Sequence, residues 1–247
     1  MVYLWIAVGV VLGIGILISF TAGKNFWDTV KQVGKKDKEK NSQGMTAGEF
    51  AQRIIAEKRL PVVIGRSSGK FKEFYSPTKK AIAISEEFYT SQSMVAVGVT
   101  AHEIGHALDH NKNGKLFNVR LVMARFTRVV GFFFWLCLVT AGILWLLSGT
   151  FEPDVMPAVK TLLIVSLSAF GFNFLFRIMN AGVERTASKY AMQMIREKGF
   201  SGKEQRRAKK ILNAAYLTYI GDIFKPFVQV IKFILAVLNG ILNMFVR

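Results

Sequence analysis

The sequence predicts a small α+β unit joined to a mostly α-helical membrane domain. Three observations carry this. Residues 2–22, 129–149 and 158–176 are apolar runs long enough to cross a bilayer core. Residues 45–115 mix helical and strand-like patterns, punctuated by Gly, Ser and Pro. The composition pairs 51% hydrophobic residues with 33 Lys and Arg against 16 Asp and Glu, a net charge of +17. The chain's 247 residues allow one domain plus appendages. Mean hydropathy is +0.32 and the sequence pI about 10.1. A disordered basic tail would be more polar, and an ordinary soluble enzyme rarely combines such hydropathy with such charge. Basic segments lying beside anionic lipid headgroups account for both.

The N-terminal run (1–23) reads as a transmembrane anchor. A cleaved signal would carry a positive n-region, and Met1-Val2-Tyr3-Leu4 has none. Lys24, Lys31, Lys35, Lys36, Lys38 and Lys40 follow, in a basic juxtamembrane linker over 24–44. The positive-inside rule puts this end in the cytoplasm and the N-terminus outside. Over 45–128, Thr46 and Glu49 form a capping box opening a helix to about Lys58. Strand-like runs occupy 61–65, 71–75 and 80–85. Ser91 or Ser93 then caps a helix through about Asn111, and Gly114 stops it.

Residues 129–178 read as a transmembrane hairpin. Its tip holds Glu152 and Asp154, while Arg125, Arg128, Arg177 and Arg185 flank its other ends, so the tip lies outside. Within 179–210, a helix over 181–198 closes at Gly199 and a basic segment, KEQRRAKK, follows. The tail, 211–247, is apolar and is expected to break near Pro226. Gln229, Lys232, Asn239 and Asn243 recur there on one narrow helical face. An interfacial helix, a fourth span and an oligomer contact all stay open for it.

Cys137 is alone, which excludes an intramolecular disulfide and a metal site built on cysteines. The three histidines, His102, His106 and His110, lie in one stretch. His102-Glu103-Ile104-Gly105-His106 is HExxH. On a helix, positions i and i+4 share a face, so two imidazoles can meet one Zn²⁺. Glu103 then sits to the side, placed to hold a water and take its proton. The bland alternative is a chance match on a polar helix. The scarcity of histidine and the uninterrupted MVAVGVTAHEIGHALDH context argue against it.

Zinc needs a third protein ligand and an open position. His110 is two turns from His102, roughly 12 Å along the axis, and cannot close on the same ion. The longer HExxHxxGxxH pattern fails, because Asp109 and Lys112 stand where Gly and His are required. Asp109 is too close on the same helix, and Glu152 and Asp154 belong to the outer loop. Glu197 and Glu204 sit among basic residues and read as solvated surface. Glu184 is favoured: it follows the return of the chain to the inner side, and Ala187, Ser188 and Ala191 share its face, permitting close helix approach.

These residues carry a resemblance. Across GMTAGEFAQRII, FYSPTKKAIAISEEFY, SMVAVGVTAHEIGHALD, the hairpin, GVERTASKYA and LNAAYLTYIGD, the chain resembles the YugP-like neutral zinc metallopeptidases of bacterial membranes. It is more distantly similar to the HtpX and CAAX-prenyl membrane proteases. The resemblance implies a zincin-like catalytic unit, His102, His106 and Glu184 as zinc ligands, and Glu103 as catalytic base. Ser188 stands where the HtpX-type motif carries Asp, and Tyr75-Ser76-Pro77 departs from a frequent acidic step.

The expected activity is that of a multi-pass zinc endopeptidase in a bacterial plasma membrane, with its active site facing the cytoplasm. Its substrate is a peptide or membrane protein, which the strand near 80–84 could hold by edge pairing. Candidates for neighbouring or oxyanion-stabilising roles are Ser188, Arg185, Tyr190 and His110. The alternative is a non-catalytic membrane adaptor that retains a structural zinc. An intramembrane site is disfavoured, because Glu103, Asp109 and His110 make the motif helix poor for lipid burial. A nucleic-acid role is weaker than headgroup binding, since Lys and Arg cluster at membrane edges.

Overall fold

The computed structural model describes residues 2–36, 40–68, 73–147 and 155–245. The chain is mostly helical: α1 (Val2–Lys36), α2 (Ala47–Glu57), β1 (Val63–Ser67), β2 (Phe74–Ser76), β3 (Ala81–Ser85), α3 (Glu86–Tyr89), α4 (Met94–Asn111), α5 (Lys115–Leu147), α6 (Met156–Glu197) and α7 (Gly202–Phe245). It divides into two compact units. One comprises Met1–Asn118 with Ala181–Lys225, and the other Val119–Asn180 with Pro226–Arg247.

The first unit holds the α+β part. Thr46 caps α2 through the expected capping box with Glu49. The sheet order is β1-β3-β2, with β1 parallel and β2 antiparallel to β3. β3 is therefore central, flanked on both sides over Ala81–Ala83, so among the described residues the peptide-pairing edge expected at 80–84 is occupied there. The free edges belong to β1 and β2. Residues 71–72 of the second expected strand lie outside the described residues.

α4 begins at Ser93, whose hydroxyl accepts from the Ala96 N–H. It ends where Asn113 turns left-handed (φ 53°) ahead of Gly114. A Cβ at Gly114 would crowd the Asp109 carboxylate and backbone carbonyl, which favours glycine there. The helix is apolar nearly all round and sits inside the unit. Met94, Ile104, Phe50, Ile54, Ile82, Ile84, Met194, Ile195 and Ile211 form one buried core around it.

Several boundaries differ from expectation: β1 and β2 lie further along the chain than the expected 61–65 and 71–75, and the helical boundaries differ because helices run on. The stretch expected as a linker continues α1 to Lys36; Lys38 lies outside the described residues. Its lysines alternate with Phe26, Val30 and Val33 at helical spacing. Val30 and Val33 are buried in the core, with Phe26 packed against it. The helix expected to start near 181 is the end of α6, continuous from Met156.

Pro226 does not break the tail: α7 continues past it. Proline removes one N–H from the ladder, and packing holds the helix across the gap. Phe227 lies 5.0 Å from Phe170 and 5.6 Å from Phe174, centroid to centroid. These contacts belong to the second unit, where the Ser166 hydroxyl also donates to the Phe134 carbonyl at 3.1 Å. Residues 148–154, the expected hairpin tip, lie outside the described residues.

Among the described residues, three helices are long and apolar enough to cross a membrane: Gly9–Gly34, Lys115–Leu146 and Met156–Glu197. They turn large apolar side chains outward, among them Leu17, Phe132, Ile164 and Leu167. Such faces suit lipid rather than water.

Candidate metal centre

α4 and α6 approach unusually closely in the first unit. A Cβ on Gly105 would stand 2.4 Å from the Ala187 carbonyl oxygen. Ala187 and Ala191 are fully buried at this crossing. Small residues on both helices therefore bring their polar side chains together.

His102 and His106 project from one face of α4, their rings 4.7 Å apart. Glu184 enters from α6 and is 2% exposed. Its Oε2 lies 3.0 Å from His102 Nε2 and 3.2 Å from His106 Nε2. These three residues form the described group of potential ligands, with donor atoms all within 4.8 Å of one another. Zinc with bonds of about 2.0–2.1 Å in tetrahedral geometry separates its ligand atoms by about 3.4 Å. The separations of 3.0 and 3.2 Å fall slightly inside that value, and two imidazoles with one carboxylate are a zinc donor set. The residues fit the ion.

The surroundings of His102 are compatible with metal on its Nε2. Metal on Nε2 puts the proton on Nδ1. His102 Nδ1 lies 3.2 Å from the Ser188 hydroxyl, one turn after Glu184, which can accept that proton. Ser188 is thus beside a candidate ligand. His106 Nδ1 is buried without a hydrogen-bond partner.

Glu103 leaves the histidine face. Its Oε2 accepts from the backbone N–H of Tyr75 at 2.8 Å. Burial pushes the Glu103 carboxyl above its ordinary value; His102, His106 and the Tyr75 N–H pull the other way. Tyr75 belongs to edge strand β2, and its hydroxyl lies 2.8 Å from His110 Nδ1. His110 also stacks on Phe117, ring centroids 5.0 Å apart. Burial, reinforced by Lys80, lowers its affinity for a proton. His110 stands outside the ligand group, tied to the strand that holds Glu103.

The remaining candidates lie elsewhere. Arg185 is exposed and lines a cleft beside α6. The Tyr190 ring receives the Lys112 ammonium at 4.8 Å.

Two functional or structural residues escaped sequence reasoning. Tyr75 acts through its backbone, which no side-chain motif signals. Glu204 is a correction: it is 7% exposed, not solvated surface. It accepts from Ser201 N and Oγ at 2.7 Å each and from the Ser42 backbone at 2.6 Å. With Ser201 as N-cap it forms a capping box on α7, and Ser201-x-x-Glu204 was the available signal. Glu197 does lie at the surface, paired with Lys58 at 2.8 Å.

Comparison with known proteins gives the family of the chain. Residues 8–238 match a family described as "Putative neutral zinc metallopeptidase". The chain is 28% identical over 223 residues to the "Putative membrane protease YugP" of Bacillus subtilis (strain 168), covering 88% of this chain and 93% of that protein. No solved structure matches significantly. A family match spanning nearly the whole chain, with the family's namesake metal accommodated by His102, His106 and Glu184, places this protein in that neutral zinc metallopeptidase family.

Proposed function

We propose that this protein is a membrane-anchored zinc endopeptidase that hydrolyses peptide bonds with Glu103 as general base. One observation carries the reading: the carboxylate of Glu103 is held beside, and not within, the cluster of His102, His106 and Glu184. A purely structural site has no use for a carboxylate kept out of the ligand set, and normally closes its fourth position with protein.

His102, His106 and Glu184 would hold the ion. Bound zinc supplies Lewis acidity, polarising the scissile carbonyl and easing deprotonation of water. Glu103 takes the proton of the attacking water and passes it to the leaving amine. The Tyr75 N–H fixes one carboxylate oxygen, leaving the other for water. Ser188 orients His102.

The site faces the cytoplasm of a bacterial plasma membrane in this reading, with residues 24–125 and 181–210 inside. Support comes from the distribution of Lys and Arg around the apolar runs. Cysteines introduced singly at 154 and 68 test it. Impermeant thiol reagent should label the first and spare the second in intact cells; the reverse pattern overturns the orientation.

The function is tested by peptide hydrolysis with purified protein in detergent. Activity should vanish with a chelator and return with Zn²⁺. A wild-type rate in the Glu103→Gln variant would refute the mechanism, and zinc-loaded protein that hydrolyses no peptide would favour the adaptor.

A further inference from the structure

A cleft of about 710 Å³ lies in the first unit, between the second half of α6 and the start of α7. From α6 it receives Arg185, Ser188, Lys189, Met192 and Arg196, and from α7 Lys209, Leu212 and Tyr216. The α6 residues recur every three or four positions, so they form one continuous wall. Met192, Leu212 and Tyr216 are the less exposed members and form an apolar floor. Arg185, Lys189, Arg196 and Lys209 are exposed and form a basic rim. The acidic residue of the lining, Glu197, is already paired with Lys58.

One residue of the lining touches the metal cluster. Ser188 lines it and lies 3.2 Å from His102 Nδ1. A chain lying in the cleft would therefore pass beside Ser188, which contacts a candidate zinc ligand.

We propose that this cleft is a substrate-recognition subsite for an extended peptide segment in which acidic and aliphatic side chains alternate. The proposal rests on the peptidase reading above and names the substrate class for it. The rim supplies four cations for carboxylates, and the floor supplies apolar surface for the side chains between them. Size favours a peptide over a single headgroup. Arg185 and Arg196 are about 16 Å apart along α6 at 1.5 Å per residue. That is the reach of about five extended residues, whereas one phosphate cannot touch both ends.

The test is direct binding. The probe is a fluorescein-labelled peptide of alternating Glu and Leu, with Gln/Leu and Lys/Leu peptides of equal length beside it. Anisotropy is measured on the full-length chain in neutral detergent, carrying Glu103→Gln so that nothing is cut. The Glu/Leu peptide should bind at least about tenfold tighter than the Gln/Leu peptide at low salt, and the preference should fade as salt rises. Arg196→Glu and Lys209→Glu, on opposite walls, should each weaken it about tenfold. Lys203→Glu makes the same charge change on an exposed α7 residue outside the cleft and should cost less than about twofold.

Equal losses for Lys203→Glu and Arg196→Glu would reduce the effect to net charge and overturn the proposal. So would equal binding of all three peptides, or displacement of the peptide by submillimolar dihexanoyl-phosphatidylglycerol. Hydrolysis of the same peptide by wild-type protein separates the two claims. Charge-dependent binding without cleavage supports the cleft and counts against the peptidase. Cleavage without charge-dependent binding does the reverse.

Discussion

Adding one methyl group at Gly105 should dismantle the metal centre without touching a ligand. In Gly105→Ala the new Cβ would lie 2.4 Å from the Ala187 carbonyl oxygen and 3.1 Å from its Cα. The obstacle is backbone, which no rotamer change can clear. Restoring ordinary contact, at 3.4 Å or more, requires α4 and α6 to part by about 1 Å. His102 and His106 ride on one helix and Glu184 on the other, with separations now 3.0 and 3.2 Å. Metal–ligand distances tolerate only about 0.2 Å. The helices must either stay strained, at roughly 1–3 kcal/mol, or move and lose the third ligand. Zinc affinity should fall at least about tenfold, with apparent stability lowered by the same coupling.

Gly98→Ala is the matched control on α4. Its Cβ would meet Ala208 Cβ at 3.6 Å, an ordinary contact. Replacing a helical glycine with alanine contributes about 0.8–1 kcal/mol, so this variant should be neutral or stabilised and keep its zinc. The assay is metal content per chain by mass spectrometry after dialysis against buffered zinc, with thermal unfolding in detergent alongside. Full zinc occupancy and wild-type hydrolysis in Gly105→Ala would refute the reasoning, because the crossing would then be slack.

Other perturbations separate the roles. Glu103→Gln should keep zinc and fold yet lose roughly 10²–10⁴-fold in hydrolysis, because the amide cannot take the proton; loss of metal in this variant would make Glu103 a ligand. His106→Ala and Glu184→Ala should each lose stoichiometric zinc, and undiminished occupancy in either would break the ligand assignment. Glu204→Gln should destabilise the fold by about 1–3 kcal/mol at neutral pH, by weakening the bonds that join Ser42 and Ser201. Burial pushes the Glu204 carboxyl up, but Ser42 and Ser201 outweigh it and leave it below its ordinary value. A lowered folded value means stability present above the unfolded pKa of about 4.3 and lost as pH falls through the folded one. The gap between wild type and Glu204→Gln should therefore close on acidification from pH 6 to below pH 4; a gap independent of pH would contradict this.

Local patterns were enough for much of this protein. The HExxH spacing determined that His102 and His106 share a face and that Glu103 stands aside, because helical periodicity is a property of consecutive residues. Capping at Thr46 and Ser93 was equally local, as were the apolar runs inside α1, α5 and α6. Even Glu184 could be favoured before any coordinates, from chain return and the small residues one and two turns beyond it.

What the tertiary structure decided was everything set by contacts between distant residues. The sheet order put β3 in the middle and moved the free edge to β2, since strand neighbours are chosen by packing and not by succession. The Tyr75 N–H reached Glu103 across 28 residues of chain, through a backbone group that every residue but proline carries and no pattern marks. Glu204 sits in a basic run, and only the approach of Ser42 to the start of α7 reveals it as buried. α7 continued past Pro226 for the same reason: aromatic packing of Phe227 on α6 outweighed one missing hydrogen bond.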